Sequence, residues 1–242
     1  MHDVLLIACK HNGWAVDPFL SLFNKFWPNI TINIVAERNY ATVDGNYKFI
    51  QLPNDMIVNG ECPKGKFSNS LIFGLKSVPG EYVTVMLSDY WPYADVDVKA
   101  IDDIENYMKG DQNILRVDTG SQYIPKNLQN LTPNIFGPID NRNCFYPVSL
   151  CPAMWNKTAY LSLLRDGWDP WQTESLTCDR FLGHKSFGDK FKHLRSLWYH
   201  PGPIKYHNAL RARDDTSLVA RRETIDIVKH LIPPRFKIVF EN

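Results

Sequence analysis

Residues Glu81-Tyr-Val-Thr-Val-Met-Leu-Ser-Asp-Tyr-Trp91 form a mostly apolar, strand-forming run that stops at an acid, Asp89. In open α/β sheets, ligands sit beyond the carboxyl ends of the strands, so a carboxylate at such an end is placed to meet a metal or a charged ligand. Asp89 is therefore the first residue to which chemistry is assigned. Tyr90 and Trp91 follow it and Pro92 closes the strand, so two flat aromatic rings stand beside the acid, the kind of surface that holds a base or a sugar ring. The run reads as one wall of a small-molecule pocket.

Outward from it, short apolar runs rich in Val, Ile, Tyr and Phe predict strands at 3–9, 31–36, 47–52, 113–118, 143–150 and 235–240. Between the first two, Pro18 to Trp27 puts Phe19, Leu22, Phe23 and Phe26 on one helical face, with Asp17 as N-cap, Pro18 at the first helical position and Pro28 as terminator. Phe67 to Val78 repeats the pattern with Leu71, Leu75 and Val78 inward, and Pro79-Gly80 turns the chain into the strand that ends at Asp89. Strand, helix, strand units with right-handed crossovers make parallel strands. The expected fold is one α/β domain with a mostly parallel central sheet flanked by helices. Val98, Ile101, Ile104 and Met108 recur at helical spacing, with Asp102, Asp103 and Glu105 on a solvated face, and Ser217 to Leu231 predicts a further amphipathic helix. Residues 119–142, rich in Asn, Pro, Gly and Gln, read as a long loop touching ligand or acceptor. The stretch 146–164 reads as a strand breaking at Pro152 into a helix with Trp155, Leu161 and Leu164 inward.

Composition narrows the function. Lys and Arg number 27 against 26 Asp and Glu, a formal charge of +1, which gives no bulk attraction to nucleic acid; any phosphate must be held by local groups. Cys9, Cys62, Cys144, Cys151 and Cys178 are irregularly spaced without a Cys-x-x-Cys, which speaks against a zinc site or a disulfide scaffold and for a reducing cytoplasm. Val4 to Cys9 is too short for a membrane span, so no transmembrane segment is expected and any membrane association is peripheral. The glycine fingerprints of dinucleotide folds and P-loops are missing, and Ser88 lacks the flanking glycines of a nucleophile elbow.

A second acid stands in Asp166-Gly-Trp-Asp-Pro-Trp-Gln-Thr-Glu174. Asp169 as N-cap, Pro170 at the first helical position and Gln172 at the third make a capping box, leaving Glu174 near a helix N-terminus that favours its ionised form. It suits a general base, or simple compensation of the helix dipole. Nucleotide-binding candidates lie in the first strand's exit loop, where His11 and Trp14 flank Gly13, and after the second strand at Arg38. Near the end, Lys205 and His207, with His200, Arg211 and Arg213, sit beside aromatics, as a diphosphate grip or a basic surface loop.

Three motifs in this order, Ser88-Asp-Tyr-Trp91, Leu150-Cys-Pro-Ala-Met-Trp155 and Asp169-Pro-Trp-Gln-Thr-Glu174, resemble those of bacterial glycosyltransferase-like proteins across most of residues 3–210. The family pattern is Asp-Asp-Tyr-Phe after the strand, then Leu-x-Pro-x-x-Trp and Pro-Trp-x-x-Glu. The resemblance implies a GT-A fold, residues 1–110 as the nucleotide-binding half and 111–242 as the acceptor side. It also implies a nucleotide-sugar donor, a carbohydrate or lipid-linked acceptor, and Mg²⁺ or Mn²⁺. On the matched positions Asp89 is the metal or donor-sugar acid and Glu174 the base; Tyr90, Trp91, Lys205 and His207 line the donor side. Ser88 stands where the pattern has another acid, and that departure leaves open a catalytically inactive nucleotide- or sugar-binding protein on the same fold.

Overall fold

The computed structural model describes residues 2–120, 126–140, 147–183, 190–209 and 217–240. Its first half follows the expected alternation: β1 (Asp3–Ile7), α1 (Val16–Phe26), β2 (Ile32–Ala36), β3 (Tyr47–Gln51), α2 (Phe67–Ser77), β4 (Tyr82–Leu87), β5 (Tyr90–Pro92) and α3 (Val98–Lys109). The second half holds β6 (Ile114–Asp118), β7 (Leu128–Asn130), β8 (Ile135–Pro138), β9 (Ala153–Asn156), α4 (Lys157–Leu163), α5 (Pro170–Leu182), β10 (Arg195–Tyr199), β11 (Tyr206–Asn208), β12 (Ser217–Ala220), α6 (Arg222–Val228) and β13 (Lys237–Phe240).

A nine-stranded sheet in the order β3-β2-β1-β4-β9-β6-β10-β8-β7 forms the centre. β3, β2, β1 and β4 are parallel neighbours, as are β6 and β10, while β9 runs against β4 and β6, and β8 against β10 and β7. The expectation of a mostly parallel α/β sheet flanked by helices holds. All five residues of β2 are buried, Asn33 among the apolar ones, as in a strand covered on both faces. One face packs under Phe19 and Phe23 of α1, Ile101 and Ile104 of α3 and Ile225 of α6. The other packs under Leu71 and Leu75 of α2, Tyr160 of α4 and Phe181 of α5. Two small sheets, β11-β5 and β12-β13, stand apart from the central one.

Five expectations need correction. The strand placed at 143–150 is instead β9, at 153–156; 147–150 are not strand, and 141–146 lie outside the described residues. Trp155, expected on a helix, is a buried strand residue stacked on Tyr160 at 3.7 Å. The long loop expected at 119–142 contains β7 and β8, whose pairing with each other and with β10 extends the sheet at its far edge. The helix expected from Ser217 begins only at Arg222, because Ser217–Ala220 pairs with β13. Asp17 does not cap α1: it sits inside the first turn, and its Oδ1 accepts from Thr42 N at 2.7 Å and from Val43 N at 3.3 Å, fixing the loop after β2.

Candidate functional site

Asp89 follows β4 at the carboxyl edge of the sheet. Its carbonyl accepts from Ala209 N at 2.7 Å, which ties the β4 exit to the end of β11. As a residue it is half-buried, yet its Oδ1 is sealed from solvent and has no hydrogen-bond partner in the protein. Burial pushes the carboxyl up to about 6, against a smaller downward pull from its own backbone N–H. Buried polar atoms nearly always have a partner, so an orphan oxygen at a strand end marks a place that a cationic or hydrogen-donating ligand would complete. Ser88, beside it, is fully buried with its hydroxyl 3.3 Å from the Asn12 carbonyl, and an acid at this position would also be buried.

Glu174 sits in the first turn and a half of α5, whose N-terminus carries the expected capping box: Gln172 N donates to Asp169 Oδ1 at 2.8 Å and Asp169 N to Gln172 Oε1 at 3.1 Å. The Glu174 carboxylate accepts from Leu150 N. Leu150 is followed by Cys151, whose Sγ is 3.6 Å from Tyr90 Oη, and Tyr90 follows Asp89. The two acids are thus joined through one short segment, Leu150-Cys151, just ahead of β9 where it enters the sheet between β4 and β6. The Tyr90 ring meets Tyr206 edge-on with centroids 5.0 Å apart, and burial raises both phenols, so each stays a proton donor at neutral pH.

The remaining predicted residues divide. His207 is buried against Trp91 and Tyr93, with ring centroids at 5.9 and 6.3 Å, and neither ring nitrogen has a partner in the protein. Burial, then the Arg221 charge, lower it to about 4, so its imidazole is neutral. Trp91 is fully buried with Nε1 donating to the Ser88 carbonyl at 3.0 Å; its ring belongs to the core and offers no face to a ligand, contrary to expectation. Trp14 is likewise engaged, 4.4 Å from Phe236 and edge-on to Trp91 at 6.2 Å. Gly13 accommodates the Tyr40 ring and not a ligand: a Cβ there would lie 2.4 Å from Tyr40 Cδ1. His11 is exposed in the turn after β1, and Arg38 is exposed with its guanidinium 4.9 Å over Tyr40. Lys205 is half-buried, its carbonyl accepting from Tyr93 N at 2.9 Å. Arg211 and Arg213 lie outside the described residues.

Three more residues stand at the same edge. Glu37, just past β2, is buried; its Oε1 accepts from Lys10 N at 2.6 Å and from Tyr40 Oη, and its Oε2 has no partner in the protein. Thr119, just past β6, is fully buried with an orphan hydroxyl. Asp118 closes β6 as an acid at a strand end, like Asp89, but its Oδ2 pairs with Arg116 at 2.7 Å and its Oδ1 accepts from Gly120 N at 3.1 Å. Gly120 is required there, since a Cβ would stand 2.0 Å from the Tyr206 ring. The signal for Asp118 was available: another apolar strand running into an acid.

Among the described residues, no group of three or more His, Cys, Asp and Glu side chains is arranged to hold a metal ion. Magnesium is commonly held by one or two carboxylates together with substrate phosphates and not by a protein cage. A lone orphan carboxylate fits that mode.

No family model matches the chain, and no curated protein matches it. Among solved structures it is similar to residues 1–349 of S. aureus TarS, with 13% identity and a TM-score of 0.48 over 85% of this chain, which spans 59% of that one. It is also similar to the galactosyltransferase LgtC in complex with donor and acceptor sugar analogues, with 10% identity and a TM-score of 0.46 over 96% of this chain and 98% of that one. A third is UDP-glucose pyrophosphorylase complexed with UDP-glucose, at 9% identity and a TM-score of 0.43 over 86% and 92% of the two chains. The fold class rests on this chain's own sheet. Among the described residues, no helix is long and apolar enough to cross a membrane.

Proposed function

We propose that the protein is a glycosyltransferase of GT-A type, moving a sugar from a nucleotide-sugar donor to a hydroxyl of a saccharide or lipid-linked acceptor in the cytoplasm. The observation that carries this reading is the orphan Oδ1 of Asp89 at the carboxyl end of β4, linked through Tyr90, Cys151 and Leu150 to Glu174. Asp89 faces the donor and Glu174 the acceptor. The acceptor oxygen bonds to the anomeric carbon as the bond from that carbon to the diphosphate oxygen breaks, the bonding pair leaves on the diphosphate, and the acceptor proton passes to Glu174. A positioned base of this kind contributes about 10²–10⁴-fold in rate. Mg²⁺ or Mn²⁺ held by Asp89 together with the donor phosphates would supply charge neutralisation at the leaving group. An opposing charge there would also return Asp89 to its ionised form.

A second reading, a nucleotide- or sugar-binding protein without turnover, is favoured by Ser88, which leaves one carboxylate where the resembled pattern has two. Radiolabelled nucleotide sugars assayed with Mn²⁺ separate the two. Under the transferase reading label moves to water or acceptor, and Asp89→Asn and Glu174→Gln each lose at least about 100-fold while their circular dichroism is unchanged. Binding without turnover in the wild type would select the second reading.

A further inference from the structure

Trp171 lies one position past the proline that opens α5, and its side chain is 73% exposed. Of the seven tryptophans, Trp27, Trp91, Trp155 and Trp198 are buried and Trp14 and Trp168 half-buried, so Trp171 is the one that the core does not use. Its exposure is not looseness. The turn that carries it is locked by the capping box, and the residues before it are bonded to α2: Gly167 N donates to Asn69 Oδ1 at 2.8 Å, Trp168 N to Ser68 Oγ at 2.9 Å, and Ser68 N to the Trp168 carbonyl at 3.0 Å. The backbone turn is held in place, and the indole it carries keeps most of its apolar face in water, a cost that a ligand stacked on it would remove.

Its position says what covers it. Trp171 and Glu174 are three residues apart and share a side of the helix, about 4.5 Å apart along the axis, with side chains leaning toward the N-terminus. That spacing suits one sugar ring, with a hydroxyl at the carboxylate and the ring over the indole. We infer that Trp171 is the stacking platform of the acceptor subsite, taking the apolar C–H face of a pyranose whose hydroxyl meets Glu174. This rests on the reading of Glu174 as the acceptor's base. The ligand class is a saccharide with an open axial-hydrogen face, free or at the head of a lipid-linked chain.

The test follows the indole N–H resonances of the full chain, the Trp171 signal being the one missing from Trp171→Phe. A panel of α- and β-linked glucose, galactose and mannose oligosaccharides, together with any acceptor found in the transfer assay, is titrated in. The expected result is movement of the Trp171 resonance with at least one saccharide. With that saccharide as acceptor, Trp171→Ala raises acceptor KM by about tenfold, kcat changes less, and Trp171→Phe recovers most of the loss. No movement with any member of the panel overturns the inference, even if Asp89→Asn and Glu174→Gln abolish transfer and so leave the transferase reading standing. Movement with phosphatidylglycerol vesicles alone also overturns it, making Trp171 a membrane contact. Movement with a saccharide when no nucleotide sugar is turned over keeps the platform and removes the transferase.

Discussion

Two strands of the central sheet, β4 and β6, end in the same way, with an apolar run meeting an acid, and the two acids have opposite fates. Asp118 is satisfied on both oxygens, by Arg116 and by Gly120 N, and the Arg116 guanidinium is itself buried, 5.1 Å over Trp155 and 3.1 Å from Ser149 Oγ. Asp89 has no countercharge and one orphan oxygen, and burial holds its carboxyl toward the neutral form. The difference lies two residues upstream. Alternate residues of a strand share a face, so Arg116 reaches Asp118, whereas the residue equivalently placed before Asp89 is Leu87. An acid at a strand end is a structural fixture where the strand supplies its partner and a ligand-facing group where it does not.

The contrast breaks most readily at Asp118. Asp118→Ala leaves the Arg116 charge buried without its anion, and urea denaturation is expected to show a loss of about 3–5 kcal/mol. A loss under about 1 kcal/mol would mean that the pair is no more than a surface ion pair. Asp89→Asn has the reverse sign. Its folded pKa lies above the unfolded value, so the carboxyl contributes stability that is complete below about pH 4 and lost as the pH rises through about 6. The variant, free of that charge, is expected to be more stable than the parent at pH 8 by up to about 3 kcal/mol, with the difference fading as the pH falls.

A smaller effect sharpens the same comparison. His207 is neutral when folded, and its pKa is depressed to about 4 against an ordinary 6.5, so its contribution is complete above about 6.5 and lost as the pH falls to about 4. Between those limits it opposes Asp89, and the two slopes nearly cancel. In Asp89→Asn the His207 slope stands alone, and melting temperature should climb from pH 4 to 6.5 more steeply than in the parent. Parallel pH profiles for the two proteins would contradict the Asp89 assignment, and a flat profile from pH 4 to 6.5 in Asp89→Asn would contradict that of His207.

Periodicity in the chain foretold the parallel half of the sheet because β1, β2, β4, α1 and α2 each carry their own pattern of apolar residues. β9 was not legible in that way. Ala153-Met-Trp-Asn156 is a strand because β4 and β6 pair with it from both sides, a non-local cause that its four residues do not announce. Ser217–Ala220 reads as the start of a helix for the same reason, and only β13 makes it a strand. In the site, Asp89 and the capping box ahead of Glu174 could be read from residues in order. The orphan atoms of Glu37, Thr119 and His207 could not, since burial without a partner is a property of the assembled edge. Trp91 misled because a tryptophan suits a core as well as a ligand, and here the core took it.

The most direct measurement of whether Asp89 is a ligand-facing acid is the thermal shift produced by nucleoside diphosphates, with and without Mn²⁺, in the parent and in Asp89→Asn. A ligand bound only by the folded form raises the melting temperature as its concentration passes the dissociation constant. The account predicts a rise for at least one nucleoside diphosphate with Mn²⁺ in the parent, and its loss in Asp89→Asn while Asp118→Asn, if folded, retains it. An equal rise in Asp89→Asn would contradict the central claim.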